Sequence, residues 1–238
     1  METAISFGTR VEVSQRPKLT GSAIRLLSLA AVLTLWSSEP SLASAIYQVS
    51  VNTSAIAGVT GNIDLQLANG GGTFQAATAA ISLFSSVGGT LLGAPVTNGD
   101  VTGGPLPATV VIGNSTGFND YFQGFLFGSS VQFRLTLDGP AITSPNGTST
   151  SGSTFGLALY DAAGTTPLLT SDPNGFIGLA NINLNGSVTI TTLNTATGGP
   201  PVATFSLVNN VPEPSTLSLL AIAFLVLCSM RCFHHRPV

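Results

Sequence analysis

The residue types that carry most enzyme chemistry are scarce in the middle of this 238-residue chain. Between residues 46 and 210 there is no histidine and no cysteine, and the only acidic side chains are six aspartates. A Ser-His-Asp or Cys-His nucleophile therefore lacks its members there, and zinc or copper would lack its usual ligands. A carboxylate pair could still hydrolyse glycosides, because that reaction needs only two acidic groups at a set separation. The six aspartates are Asp64, Asp100, Asp120, Asp138, Asp161 and Asp172.

The surroundings of these aspartates favour structural roles over catalysis. Most stand beside glycine, proline or asparagine, or on the polar face of an alternating segment, as turn and surface residues do. We therefore predict that the protein is not an enzyme. Asp120, Asp161, Asp172 and Asn174 could offer oxygen atoms to calcium, but the sequence has no calcium-loop motif, and residues 172–175 are more typical of a β-turn. No metal or cofactor is predicted.

One aromatic cluster and one cation are the other side chains that could bind a ligand. The cluster is Phe118-Asn119-Asp120-Tyr121-Phe122, whose rings could stack on sugars if the segment formed a loop. A strand with rings in the core is the favoured interpretation. Arg134 is the only basic residue between 46 and 210. It lies at one of the polar positions of the alternating segment 131–138. We expect it to form a solvated pair with an aspartate on a neighbouring strand.

The charge balance excludes nucleic acid as a partner. One arginine and six aspartates give residues 46–210 a net charge of −5, whereas nucleic-acid recognition needs a basic surface that meets phosphates. Both cysteines, Cys228 and Cys232, lie near the C-terminus. The 165 residues between 46 and 210 must therefore fold on a hydrophobic core without disulfides, and that length suffices for one domain.

The elements that position these residues are predicted to be β-strands. Apolar and polar residues alternate with period two at 62–67 and 131–138, which indicates strands with one solvated face, and large apolar residues recur with the same period at 155–160. Asn185-Gly186 separates two further alternating segments and is a strong hairpin signal. Only residues 76–80 are compatible with a short helix. Weaker strand candidates are 46–51, 79–84, 108–112, 121–127 and 202–207.

Frequent glycine and proline turns between these segments indicate an all-β fold. Turn residues such as Asn98-Gly99-Asp100 and Gly198-Gly199-Pro200 end the elements at short intervals. About ten strands separated in this way predict an antiparallel two-sheet sandwich, jelly-roll-like or immunoglobulin-like. A β-solenoid is the alternative, but no repeat of fixed period supports it.

The strongest functional signal follows this domain, at residues 211–214. These residues are Val211, Pro212, Glu213 and Pro214. Proline lacks an N–H and pushes the residue before it into extended geometry, so Val211 and Glu213 are presented as extended backbone. A processing enzyme binds substrate chains in that conformation. The segment is therefore a candidate recognition motif.

An apolar segment and a basic tail come after the motif. Residues 217–230 form a predicted transmembrane helix, and Arg231 and Arg236 orient it with the tail in the cytoplasm. At 1.5 Å per residue these fourteen residues span about 21 Å, less than the roughly 30 Å hydrocarbon core. We therefore expect a temporary anchor in the inner membrane, removed by processing.

The order of motif, apolar helix and basic end resembles the PEP-CTERM sorting signal of Gram-negative bacteria. The matching positions in this sequence are Pro212, Glu213 and Pro214, within a resemblance that covers about residues 211–236. The resemblance implies recognition by an exosortase, a membrane enzyme thought to cut near the motif and pass the protein to the outer surface. It also implies a connection with exopolysaccharide, since exosortase systems are associated with its production.

The N-terminus carries an independent export signal. Basic residues between 16 and 25 precede an apolar segment at 26–36, and Ala43-Ser44-Ala45 has the small-residue pattern of a signal-peptidase site. We expect cleavage after Ala45, with Ala43 and Ala45 as the residues that the peptidase reads. The predicted organisation is a signal peptide at 1–45, a β-sandwich domain at 46–208, an extended linker at 209–216, a transmembrane helix at 217–230 and a basic tail at 231–238.

Together these features predict an exported protein of the cell surface or extracellular matrix, structural or adhesive in an exopolysaccharide or biofilm matrix. Its predicted partners are the exosortase, the signal peptidase, the inner membrane transiently, and exopolysaccharide. A lectin-like carbohydrate-binding module is one alternative, and an exposed aromatic row would mark it. A permanently anchored envelope protein is another, and it would keep residues 217–230.

Overall fold

The computed structural model describes residues 43–208 of the chain. The predicted linker, transmembrane helix and basic tail lie outside these residues, as does the signal peptide apart from its last three positions. Twelve strands, one 3₁₀ helix at Ser54–Ile56 and one short helix, α1 (Pro140–Thr143), make up the described part. Within it, no helix has the length and apolar character that a membrane crossing requires. In chain order the strands are β1 (Ala45–Asn52), β2 (Thr60–Asn69), β3 (Thr78–Val87), β4 (Thr90–Asn98), β5 (Val101–Gly103), β6 (Val110–Gly113), β7 (Asp120–Leu126), β8 (Ser130–Asp138), β9 (Ser153–Asp161), β10 (Phe176–Ile182), β11 (Val188–Thr192) and β12 (Ala203–Leu207).

The strands form two six-stranded antiparallel sheets. The first sheet has the order β12-β1-β8-β3-β6-β5, and the second has the order β11-β10-β9-β2-β7-β4. One hydrophobic core lies between them and contains side chains from both. Phe84 of the first sheet meets Phe125 of the second edge-to-face, with ring centroids 6.1 Å apart. The predicted two-sheet sandwich is therefore confirmed.

The alternating segments form strands because one face of each is buried in this core. In β8 the side chains of Phe133, Leu135 and Leu137 are fully buried, whereas Gln132 and Arg134 are exposed. This is the pattern of a strand with one solvated face. The five weaker strand candidates are strands as well: they correspond to β1, β3, β6, β7 and β12.

The sequence prediction missed β4 and β5. β4 contains Gly93 and Pro95, which resemble turn residues, and its apolar residues do not alternate. A strand at the edge of a sheet tolerates both, because proline there removes no hydrogen bond that a neighbour needs. β4 is such an edge strand, and its register against β7 shifts between Leu92 and Val96.

One local prediction was wrong, and another was confirmed with a different turn length. Residues 76–80 do not form a helix: β3 begins at Thr78, and Ala77 and Ala79 are buried in the core, so tertiary packing overrides the helical propensity of alanine. The hairpin at Asn185-Gly186 is present, but its turn is longer than two residues. β10 ends at Ile182, and Leu184 lies in the turn with 47% of its surface exposed.

Candidate functional site

The polar face of β2 is the least expected part of the structure. The alternation of residues 62–67 predicts a solvated polar face, but Asn62 and Asp64 are only 9% and 4% exposed. β2 lies inside the second sheet between β7 and β9. Both faces of this strand are therefore covered, one by the core and the other by side chains on the outside of the sheet.

Two aromatic rings cover the polar face of β2. Phe122 on β7 pairs directly with Asp64, and Tyr160 on β9 pairs with Asn62, so all four side chains point to the same side of the sheet. The two rings approach to a centroid distance of 6.2 Å at an angle of 38°. Strands β7 and β9 are two strand spacings apart, about 9.6 Å. The rings must therefore lean towards each other across β2.

The connection from β9 to β10, residues 162–175, lies across these rings, and we call it the cover loop. The Tyr160 hydroxyl donates a hydrogen bond to the Asn174 carbonyl. The Asn62 side-chain amide donates to the Asp161 carbonyl, at the start of the loop, with a distance of 2.6 Å. A Cβ added to Gly164 would lie 3.0 Å from the Phe122 ring. The loop is thus in contact with both rings and with β2.

Asp64 is enclosed beneath this cover with only half of its carboxyl group bonded. The Gln66 side-chain amide donates to Oδ2, whereas Oδ1 is buried and has no hydrogen-bond partner among residues 43–208. The pKa of Asp64 is raised to about 7: burial raises it most, the Gln66 hydrogen bond opposes this, and the charge of Asp120 adds a smaller increase. A carboxyl group in this environment is neutral in mildly acidic solution.

Asp120 is the second buried carboxyl group of this face. It pairs with Gln66, which places it diagonally from Asp64, and Asn98 donates a hydrogen bond of 2.7 Å to its Oδ1. Sequence reasoning treated both aspartates as surface or turn residues, which was wrong: Asp120 is only 5% exposed. In the part of the chain described, no three His, Cys, Asp or Glu side chains come together to hold a metal ion.

Asp161 and Asp172 are turn residues. Asp161 Oδ1 accepts the backbone N–H groups of Thr165 and Thr166, and these hydrogen bonds lower its pKa. Asp172 Oδ1 accepts the backbone N–H of Asn174 at 2.6 Å. Both carboxylates therefore stabilise the cover loop locally, as the β-turn interpretation of residues 172–175 predicts.

The aromatic cluster at 118–122 is divided by the fold. Tyr121 is 1% exposed and enters the core, where its hydroxyl accepts from the Leu106 N–H and bonds to Gln123. Phe118 is 52% exposed, and Phe122 packs against Tyr160 on the outside of the second sheet. The cluster therefore presents no continuous row of exposed rings.

Arg134 has different neighbours from those the sequence suggested. It lies on the exposed face of β8, and its cross-strand neighbours are Gln48 on β1 and Ser82 on β3. No aspartate lies directly opposite it. The expected cross-strand pair with a carboxylate is not formed, because the aspartates of the second sheet are on the other side of the sandwich.

The two ends of the described chain leave the fold side by side. β1 and β12 are antiparallel neighbours, with Tyr47 opposite Leu207, and the Val208 N–H donates to the Ile46 carbonyl at 2.8 Å. Residues 210–231, which begin two positions later, match the model of the PEP-CTERM protein-sorting motif. The chain carries a PEP-CTERM sorting signal. It implies export through the membrane and processing by an exosortase.

The matched segment contains Val211, Pro212, Glu213, Pro214 and Arg231, all of which lie outside the described residues. Arg236 lies beyond the match. Of the predicted signal-peptidase site, Ala43 precedes β1, whereas Ala45 is its first residue and pairs with Leu137. Neither the curated proteins nor the solved structures include a match to the chain.

A neutral groove lies near the ends of β9 and β10. It has a volume of about 340 Å³. The residues around it offer amide, hydroxyl and backbone groups and no charge, and Leu184 among them is an exposed apolar side chain. They are Gly70, Gly152, Ser153, Thr154, Asn181, Ile182, Asn183 and Leu184.

Proposed function

We propose that the protein is a non-catalytic component of the cell surface or extracellular matrix, structural or adhesive, that is delivered through its PEP-CTERM signal. Its leader is removed by signal peptidase and its tail by the exosortase. The inner membrane is a transient location, and exopolysaccharide is the proposed surrounding of the mature domain.

The place of the sorting signal in the chain, directly after the last described strand, carries this proposal. Among residues 43–208 the last backbone hydrogen bond is made by Val208, and the matched motif begins at residue 210. The twelve described strands pair with one another without any residue of the motif. At 3.3–3.6 Å per residue, Pro212 lies at most about 14 Å from Val208 along the chain. Such an arrangement suits a folded cargo with an accessible processing tag.

The outer face of the first sheet supports a matrix location. Ser206, Gln48, Arg134 and Ser82 form a row across β12, β1, β8 and β3. Amide and hydroxyl groups of this kind form hydrogen bonds with the hydroxyl groups of polysaccharides as readily as with water. Arg134 is the only charged side chain of this row and the only positive one among residues 43–208.

The sorting proposal is tested by replacing both prolines of the motif, Pro212→Ala with Pro214→Ala. Alanine restores an N–H and permits helical geometry, so we expect the exosortase to process the variant poorly and full-length tail to remain at the inner membrane. Intact-mass spectrometry of membrane and released fractions measures this directly.

The matched control is Pro200→Ala, which changes an exposed proline before β12 and leaves the motif intact. It should be processed and released like the parent. If the double variant is released with the parent's mass, the motif does not direct sorting. If the parent itself keeps residues 217–230, the protein is a permanently anchored envelope protein.

A carbohydrate-binding module is the second candidate, and the neutral groove favours it. A sugar would find amide and hydroxyl partners at Asn181, Asn183 and Thr154, beside the exposed Leu184. Binding of the purified domain to an array of glycans would support this function if Leu184→Asp abolished the signal and Phe118→Ala did not. Equal binding by both variants would place the sugar elsewhere, and no binding by the parent would leave the structural role.

A further inference from the structure

We propose that Asp64 is a pH-sensitive latch: the cover loop, residues 162–175, stays closed over the rings of Phe122 and Tyr160 while this carboxyl group is neutral and opens when it ionises. The proposal concerns a property of the folded domain and does not depend on the sorting function.

The first step is the position of the carboxyl group under the cover. Phe122 pairs with Asp64 and Tyr160 with the adjacent Asn62, and their rings meet at 6.2 Å across β2. The Tyr160 hydroxyl is bonded to the loop at Asn174, and Asn62 is bonded to Asp161. The cover over Asp64 therefore consists of two rings and the loop that holds them.

The second step is the incomplete bonding of the carboxyl group. Asp64 Oδ1 has no partner among residues 43–208, and the side chain is 4% exposed. A neutral carboxyl group tolerates this position, but an ionised one loses its hydration and gains no cation. Opening the cover admits water to Oδ1 and relieves this cost.

The charged groups around Asp64 all oppose its ionisation. Asp120 on β7 faces it, Asp161 and Asp172 lie at the two ends of the loop, and Tyr160 on β9 is a neutral phenol whose pKa is raised by burial and by Asp64 and Asp172. The one cation of residues 43–208, Arg134, is on the other sheet. No neighbouring group therefore compensates a negative charge on Asp64.

The third step is the way the loop is held. Leu168 donates its N–H to the Leu159 carbonyl at 2.9 Å, and Asp161 donates to Thr166. Leu169 has a φ of 58°, a left-handed conformation that is unfavourable for leucine. The loop is also held by hydrogen bonds from Ser171 to Asn194 and from Leu159 to Gly175. Leu168 and Leu169 pack against the core. The loop is thus attached at separate points and contains a strained residue, whereas β2 is paired along both edges.

Hydrogen exchange of the purified domain as a function of pH tests the latch. The Leu168 amide reports on the loop and the Leu65 amide on the sheet. With the pKa of Asp64 at about 7 in the closed state and near 3.8 in the open state, the protection of Leu168 should fall by on the order of a hundredfold between pH 5 and pH 8, after correction for intrinsic rates. Protection of Leu65 should change much less.

Asp64→Asn cannot ionise and should give a Leu168 protection that is independent of pH. Asp138→Asn removes a carboxylate from the first sheet and should behave like the parent. A parallel change at Leu168 and Leu65 would mean that the whole domain unfolds together and would overturn the latch. If Asp64→Asn does not fold, carbon-13 titration of the parent's Asp64 carboxyl decides: an ordinary pKa near 4 refutes the proposal.

Discussion

At the scale of single residues, Asp64 shows how a strand's environment changes the chemistry of a side chain. Its alternation with Ile63 and Leu65 predicts a solvated carboxylate, and this prediction was wrong because Phe122 and Tyr160 lie above it. Sequence alternation identifies which face of the sheet a residue occupies, but not what covers that face. The rings come from positions about 60 and 100 residues away in the chain, and no local pattern connects them with β2.

Asp64 also makes the stability of the domain depend on pH. Its pKa is about 7 in the folded domain against 3.8 in the unfolded chain, so the folded state binds the proton more tightly. The resulting stabilisation is fully present below about pH 4 and is lost as the pH rises to about 7, by roughly 4 kcal/mol if the loop stays closed. Urea unfolding of the parent should therefore give a lower free energy of unfolding at pH 8 than at pH 5.

Asp64→Asn removes the ionisable group and should flatten this dependence between pH 5 and pH 8. Asp138→Asn is the control, and it should retain the slope of the parent. A parent whose stability increases over this pH range would show that Asp64 is ionised at ordinary cost in the folded state. Between pH 5 and pH 8 a loop that stays closed would lose about 2–3 kcal/mol of this total. A smaller loss over that range is the signature of an opening loop, because opening limits the cost.

At the scale of elements, the strands with one solvated face could be predicted, and the irregular ones could not. β8 alternates from Val131 to Asp138 and is found as predicted, because its hydrophobic side chains alone enter the core. β4 was missed because Gly93 and Pro95 interrupt it, and only its place at the sheet edge makes them acceptable. Residues 46–51 and 202–207 were both weak strand candidates, and the pairing of β1 with β12 explains why both are strands.

A disulfide between β1 and β12 tests the pairing of these elements. Gln48 and Ser206 are directly opposed, so Gln48→Cys with Ser206→Cys places the two Cβ atoms within reach of a disulfide. The domain has no cysteine of its own to compete. By the chain-entropy model, closing a loop of nearly the whole domain should raise the free energy of unfolding by up to about 5 kcal/mol.

The free energy of unfolding of the double-cysteine variant is compared with and without reductant, which keeps the sequence constant. Gln48→Cys alone should show no effect of reductant. Failure of the disulfide to form in the folded protein would show that β12 is not held beside β1. If the disulfide-linked double-cysteine variant is released with a normally processed tail, β12 remains paired with β1 while the exosortase acts.

At the scale of the whole molecule, sequence patterns predict the fold class and the sorting signal, whereas the contacts between distant segments are seen only in the structure. The two-sheet sandwich follows from the alternation and the turn residues, and the sorting signal from Pro212, Glu213 and Pro214 with the segment after them. The covered face of the second sheet and the neutral groove depend on how distant segments meet. The composition therefore states which residue types are missing between residues 46 and 210, such as histidine, but it does not predict which aspartates are buried.

The adjacent exits of β1 and β12 have a mechanical consequence. The start of β1 and the end of β12 are at the same pole of the domain, joined there by the Val208–Ile46 hydrogen bond. A force that separates the two ends would act across this ladder at its outermost rung and peel the strands apart one hydrogen bond at a time. The domain would then yield at low load when pulled by both ends, whereas a load on β12 alone, directed along the strand, would have to shear all its rungs together.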